Sequence, residues 1–298
     1  MLWDIFKKKS KLNPSTNSSK ENRDTNSNVE EKAIINNQLD ISLSTNPGCI
    51  RTNNEDNFFV SAIGCKPDSC FTIDLTIDID RFCIFSIFDG MGGESYGDEA
   101  SRIAAETLKE YCSELNINKI KKESIKSIIE QYISVANKRI LDMISKYKCN
   151  RSGCTMALIV LFDGMVYAFS IGDSRIYRKF EDSFVQISED QTLAIKKLKA
   201  NIYTEDEARN SPDAHKITSY IGLDDRGKGV PYLSYPPFSL SNSVILLCSD
   251  GLTDMCNDDE IHTIISKEKK SPANALLNLA MKNGGEDNIT CLVIQKIQ

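Results

Sequence analysis

Six carboxylates in this chain sit where an apolar run starts or stops. Asp89 ends the run Phe82-Cys83-Ile84-Phe85-Ser86-Ile87-Phe88 and is followed by Gly90-Met91-Gly92-Gly93. Backbone so bare cannot crowd whatever binds beside the acid. Asp173 and Asp250 also follow apolar runs, in Gly172-Asp173-Ser174-Arg175 and Ser249-Asp250-Gly251-Leu252-Thr253-Asp254. Glu55, Asp56 and Asp287 come just before such runs. In an antiparallel sheet the end of one strand and the start of its neighbour share a rim, so acids from separate segments can converge there. Packed carboxylates repel and raise one another's pKa. Oxygen-only clusters suit hard cations such as magnesium or manganese. The two histidines, His215 and His262, are not beside these acids in the sequence, which disfavours zinc. Two such ions close together can share a water, lower its pKa and aim it at a phosphorus. Arg51, whose planar fork matches phosphate oxygens, is the natural phosphate partner.

Taken singly, each of these features has a bland reading. Asp-Gly is a common turn dipeptide, and Glu55-Asp56 alone reads as a solvated loop. Phe-Asp-Gly-Met occurs twice, at 88–91 and at 162–165. The second copy lies between two apolar runs, Ala157–Leu161 and Val166–Ile171, and reads as a plain hairpin. Arg175 is expected in a structural salt bridge, and both histidines on the surface. Only the joint occurrence of the acids points to a site.

The elements that must position these residues are legible from periodicity. Leu39-Asp40-Ile41-Ser42-Leu43 alternates as a strand does, and Asn46-Pro47-Gly48 is a turn. Further strands are expected at Phe58–Val60, Phe82–Phe88, the two runs of the hairpin, Val244–Cys248 and Ile289–Ile294. Three- and four-residue spacing predicts amphipathic helices over about Gly97–Leu115 and Glu123–Tyr147, with core faces and no chemistry. Shorter helices are expected near Asp258–Lys267 and Pro272–Lys282. The polar stretch from Asp190 to Lys216 is too long for a simple loop and should hold its own small structure.

Composition bounds the rest. The chain has 298 residues, enough for a full core, with 41% hydrophobic and 26% charged residues. A net charge of −6 and a pI near 5.2 argue against nucleic acid as a partner. No apolar run approaches the ~20 residues of a membrane span. Ten cysteines are scattered singly without a Cys-x-x-Cys pair, which fits a reduced, cytoplasmic protein. Residues 7–32 are rich in Lys, Asn, Ser, Thr and Glu, so 1–37 is expected to be a disordered, low-complexity segment ahead of a domain over 38–298. The head, residues 1–9, joins a small apolar cluster to a basic run. A frayed start is the simpler reading, and a membrane-surface or protein contact the alternative.

Six motifs in order then resemble one family. They are Arg51-x-x-Asn54-Glu55-Asp56-Asn57, Phe88-Asp89-Gly90-Met91-Gly92-Gly93, Ser152-Gly153-x-Thr155, Gly172-Asp173-Ser174-Arg175, Ser249-Asp250-Gly251-Leu252-Thr253-Asp254 and Asp287-Asn288-Ile289-Thr290. From about Leu39 to the C-terminus the chain resembles the metal-dependent type 2C serine/threonine protein phosphatases, in their bacterial branch. The resemblance implies an α+β fold: a four-layer α–β–β–α sandwich with two central antiparallel sheets. It implies two tight manganese or magnesium ions at one end and a weaker third. Asp89 would bridge both tight ions. Asp250 and Asp287 would complete one site, and Glu55 with the Gly90 carbonyl the other. Asp56 would bind through water or hold Arg51, and Arg51 would grip the substrate phosphate. Asp173 with Asp250 would form the third site. A flap would cover about 192–216. Many eukaryotic relatives carry a histidine where this chain has Met91, and the usual histidine before the flap is Gln191. Neither residue can act as an acid, which leaves metal-held water as the proton source.

The expected function is hydrolysis of phosphoserine and phosphothreonine in proteins by water activated between two ions, on substrates of a cognate serine/threonine kinase, by a monomer. The rival readings are a catalytically silent phosphopeptide-binding module and a hydrolase of small phosphate esters. The intact carboxylate set argues against the first of these.

Overall fold

A strand buried on one face alternates apolar and polar residues, whereas one buried on both faces is apolar throughout. The continuous run of β5 (Phe82–Phe88) is of the second kind. Ile84 and Phe88 turn to one core, Phe85 and Ile87 to another. β8 (Met156–Phe162) and β14 (Ser243–Cys248) divide their side chains in the same way. Three buried layers separated by two sheets follow from this pattern.

The computed structural model describes residues 38–66, 69–79, 81–92, 96–149, 151–224 and 227–297. The low-complexity segment 1–37 and the head 1–9 lie outside the described residues, as does Gly93 of the glycine motif. One sheet runs in spatial order β11 (Ser183–Gln186), β10 (Arg175–Phe180), β14, β15 (Ile289–Lys296), β1 (Gln38–Asn46), β4 (Phe71–Asp78). The other runs β12 (Leu233–Ser234), β9 (Met165–Ile171), β8, β5, β2 (Asn57–Val60), β3 (Gly64–Cys65), with β13 (Phe238–Ser239) also on β9. Every pairing between them is antiparallel. Helices α1 (Gly97–Glu114) and α2 (Ile125–Tyr147) pack on the second sheet. After α3 (Leu193–Lys199), α4 (Glu205–Asn210) and α5 (Asp250–Thr253), helices α6 (Asp258–Lys267) and α7 (Pro272–Lys282) pack on the first. The expected α–β–β–α sandwich is what the chain forms.

One strand was missed from sequence. No strand was read between Val60 and Phe82, yet β4 lies at the edge of its sheet, paired to β1. Its sequence, Phe-Thr-Ile-Asp-Leu-Thr-Ile-Asp, alternates as a half-buried edge strand should, with Asp74 and Asp78 exposed. The helix expected from about Gly97 starts there, and one short pairing precedes it. Gly90 and Met91 first form β6, a two-residue strand paired with β7 (Gly153–Cys154).

Register sets the rim. Phe88, the last residue of β5, faces Asn57, the first of β2, so Asp89 and Asp56 are brought together. Ile171 faces Met156, which sets Asp173 beside Thr155. Cys248 faces both Arg175 and Cys291, which carries Asp250 to the same end.

Candidate metal centre

Each acid on this rim is held by its own motif neighbours. The Asp89 amide donates to Thr155 Oγ1 (3.0 Å), and the Thr155 amide donates to the Asp89 carbonyl (2.9 Å). Thr155 Oγ1 also meets Ser174 Oγ at 2.6 Å, next to Asp173. Asn288 clamps the Arg51–Glu55 loop: its side chain accepts from the Glu55 amide (2.7 Å) and donates to the Pro47 and Asn53 carbonyls. Glycine is required where the loop and α1 converge. A Cβ on Gly97 would lie 2.3 Å from Glu55 Oε2, and one on Gly90 2.5 Å from the Glu55 carbonyl oxygen. The Gly90 carbonyl and the Glu55 carboxylate are thus neighbours because neither glycine carries a side chain.

Asp56 is fully buried. Its Oδ2 accepts from Ser249 Oγ (2.8 Å) and Thr290 Oγ1 (2.7 Å). A relay runs behind it: Asn54 donates to Thr45, Thr45 to Thr290, and Thr290 to Asp56. Asp56 Oδ1 has no hydrogen-bond partner among the described residues. Asp56 does not hold Arg51, which corrects one expected role. Asp56 lies beneath the rim, whereas half-exposed Arg51 donates from Nη2 to Asp287 Oδ2 at 2.8 Å.

The electrostatics are those of acids short of cations. Burial raises the Asp89 pKa well above the carboxylate range, and the charges of Asp250, Asp56 and Asp173 raise it further. Asp89 and Asp250 act on each other, the interaction raising the first and lowering the second. Asp173 is raised likewise, by burial and then by Asp250 and Asp190. Burial lifts Asp56 to about 7 and Asp250 to about 6, Asp254 adding to the latter. Glu55 is raised by burial and by Asp98, while Arg51 opposes the shift. Arg51, Lys66 and Arg175 are too few and too peripheral to reverse these shifts.

Among the described residues, no three His, Cys, Asp or Glu side chains close around a single point as metal ligands. The acids are gathered on one rim. The donor set nevertheless fits a hard divalent ion. It is all oxygen, it carries an orphaned buried carboxylate oxygen, and its pKa values are raised by burial and by mutual repulsion, the second of which a cation would relieve.

Several neighbours of the site were not assigned roles from sequence. Asp254 and Asp190 both add their charge to the cluster. His215 was expected on the surface; it is exposed, yet its Nδ1 lies 3.5 Å from Asp254 Oδ2. His262 stacks half-buried on Phe184, with ring centroids 5.4 Å apart. Arg175 behaves as expected, forking onto Asp190 at 2.7–3.1 Å. The stretch from Asp190 holds its own structure, α3 and α4, capped by Thr192 and Thr204.

The sandwich is shared with solved bacterial phosphatases. Serine/threonine phosphatase Stp1 from Staphylococcus aureus superposes with a TM-score of 0.73 at 24% identity, over 87% of this chain and 94% of that one. The catalytic domain of the serine/threonine protein phosphatase PstP, in complex with two manganese ions, gives 0.68 at 22% identity, over 88% of this chain and 100% of that one. These two likenesses are of fold. In sequence, the serine/threonine phosphatase stp of Listeria innocua is 30% identical over 255 residues, 85% of this chain and 94% of that protein. The family pattern described as Protein phosphatase 2C matches residues 68–270. The chain belongs to the protein phosphatase 2C family.

Proposed function

We propose that the chain hydrolyses phosphoserine and phosphothreonine in proteins with the help of divalent cations held on the carboxylate rim. The observation that carries this reading is the cluster itself: Asp89, Asp173 and Asp250 stand half-buried together, repelling, on the rim of a protein phosphatase 2C fold. Two tight manganese or magnesium ions and a weaker third suit it, and the manganese-bound relative supports that choice. Such ions supply Lewis-acid charge and acidify a water for attack on phosphorus.

The chain's own residues then have distinct tasks. Asp89 would serve both tight ions. Asp250 and Asp287 serve one, Glu55 and the Gly90 carbonyl the other, and Asp173 with Asp250 the third. Asp56, lifted by burial and tethered by Ser249 and Thr290, can take or release a proton near neutrality. Arg51 is exposed beside Asp287, and its planar fork suits the oxygens of a phosphoryl group. Attack by water in line with the leaving oxygen needs no phosphoenzyme.

Residues 38–298 form the catalytic domain in this reading, and about 192–216 its flap. The substrates are phosphoproteins made by a serine/threonine kinase. All ten cysteines are free, in keeping with a cytoplasmic setting. No described helix is long and apolar enough to cross a membrane. The test is kcat/KM with manganese on phosphothreonine, phosphoserine and phosphotyrosine peptides beside small phosphate esters. Preference for the first two is expected; preference for a small ester would favour the rival hydrolase.

A further inference from the structure

Hydrolysis of a seryl or threonyl phosphate expels an alkoxide, which needs a proton to leave. Met91 cannot supply one. Gln191 cannot either, and its side chain accepts from the Gly172 amide (2.8 Å) and donates to the Pro231 carbonyl. Of the two histidines, His262 is committed to its stack on Phe184. His215 is placed differently. It lies between two anchored residues: Asp213, bound by Lys197, Tyr203 and Lys216, and Ile217, bridged to Thr192. Its Nδ1 faces Asp254 Oδ2 at 3.5 Å, an ion-pair distance. The Asp254 amide donates to the Asp250 carbonyl at 2.8 Å, so the imidazole stands one helical turn from an acid of the cluster. The ring is 65% exposed, so solvent can reprotonate it. A carboxylate beside one ring nitrogen orients an imidazole so that the other nitrogen can act on a substrate.

We propose that His215, oriented by Asp254, is the proton donor to the leaving seryl or threonyl oxygen. The inference rests on the reading of the chain as a phosphoserine and phosphothreonine phosphatase. The attacking water oxygen forms the new P–O bond while the bond from phosphorus to the side-chain oxygen breaks. The Nε2 proton of the imidazolium passes to that oxygen, and the proton lost by the water returns to the imidazole through solvent. This donor replaces the metal-held water left by sequence alone.

The experiment uses the full chain with manganese and compares His215→Ala and His215→Gln with the parent. The substrates are a phosphothreonine peptide, which expels a poor leaving group, and p-nitrophenyl phosphate, which expels a good one. The ratio of the two kcat values should fall about 100-fold in both variants, the lower end of what general acid help supplies. Added imidazole should restore part of the peptide rate in His215→Ala. A ratio unchanged from the parent, with or without a raised KM, would overturn the proposal and make His215 a positioning residue. If the parent itself turns over neither substrate, it is the underlying phosphatase reading that fails.

Discussion

Thr290 donates its hydroxyl to Asp56 Oδ2 over 2.7 Å, while Oδ1 of the same buried carboxylate has no partner among the described residues. Half of this carboxylate is thus fastened to the scaffold and half is left for something else. Removing the donor while keeping the shape, Thr290→Val, should destabilise the metal-free protein by about 1–3 kcal/mol, because the buried Thr45 hydroxyl loses its acceptor and Asp56 Oδ2 keeps only Ser249. Thr290→Ser, which keeps the hydroxyl, should cost far less. Urea unfolding in chelator measures both, and a valine variant as stable as the parent would show that the tether is idle.

The metal positions separate by substitution. Asp89→Asn should abolish turnover and weaken both tight ions, since Asp89 is proposed to touch each. Asp173→Ala should keep two ions and lose only the weak third. Calorimetric titration with manganese counts them; loss of a tight ion from Asp173→Ala would refute its assignment.

Arg51 is 56% exposed and paired to Asp287, so its worth to stability is small. Its proposed task is to grip the substrate phosphate. Arg51→Ala should raise KM for phosphopeptides about 10-fold or more, and Arg51→Lys should recover only part, because lysine offers a point charge without a fork. An unchanged KM in both variants would make Arg51 purely structural.

Much of this arrangement was legible in the sequence. Strand ends marked by single acids gave the rim, because antiparallel pairing alone brings such ends together. The two amphipathic helices were legible because each buries one stripe. Edge strand β4 went unread although its alternation was plain: Thr and Asp on the open face lowered its apolar content below that of the central strands. The link from Arg51 to Asp287 could not be read, because it joins residues far apart in sequence across a loop whose path Asn288 sets. The approach of His215 to Asp254 has the same cause, since it depends on how the stretch after α4 returns to the sheet.

Stability against pH should change sign with metal. Asp56, at about 7, and Asp250, at about 6, sit above their ordinary value of 3.8. The folded metal-free protein therefore binds more protons than the unfolded chain in that interval. The contribution of these groups is fully present below about 4 and is lost as pH rises through about 7. Melting in chelator should accordingly shift to higher temperature from about pH 7.5 down to about pH 5. With saturating manganese the dependence should flatten or reverse, because ligands must be deprotonated to bind. A metal-free protein that melts earlier at pH 5 than at pH 7.5 would contradict the assigned shifts.

The account rests on divalent cations completing a rim of acids. Its most direct test is phosphate release from a phosphothreonine peptide by the purified chain, in excess chelator and then after manganese is restored. The account predicts no measurable turnover in chelator and full recovery with manganese. Undiminished turnover in excess chelator would contradict it.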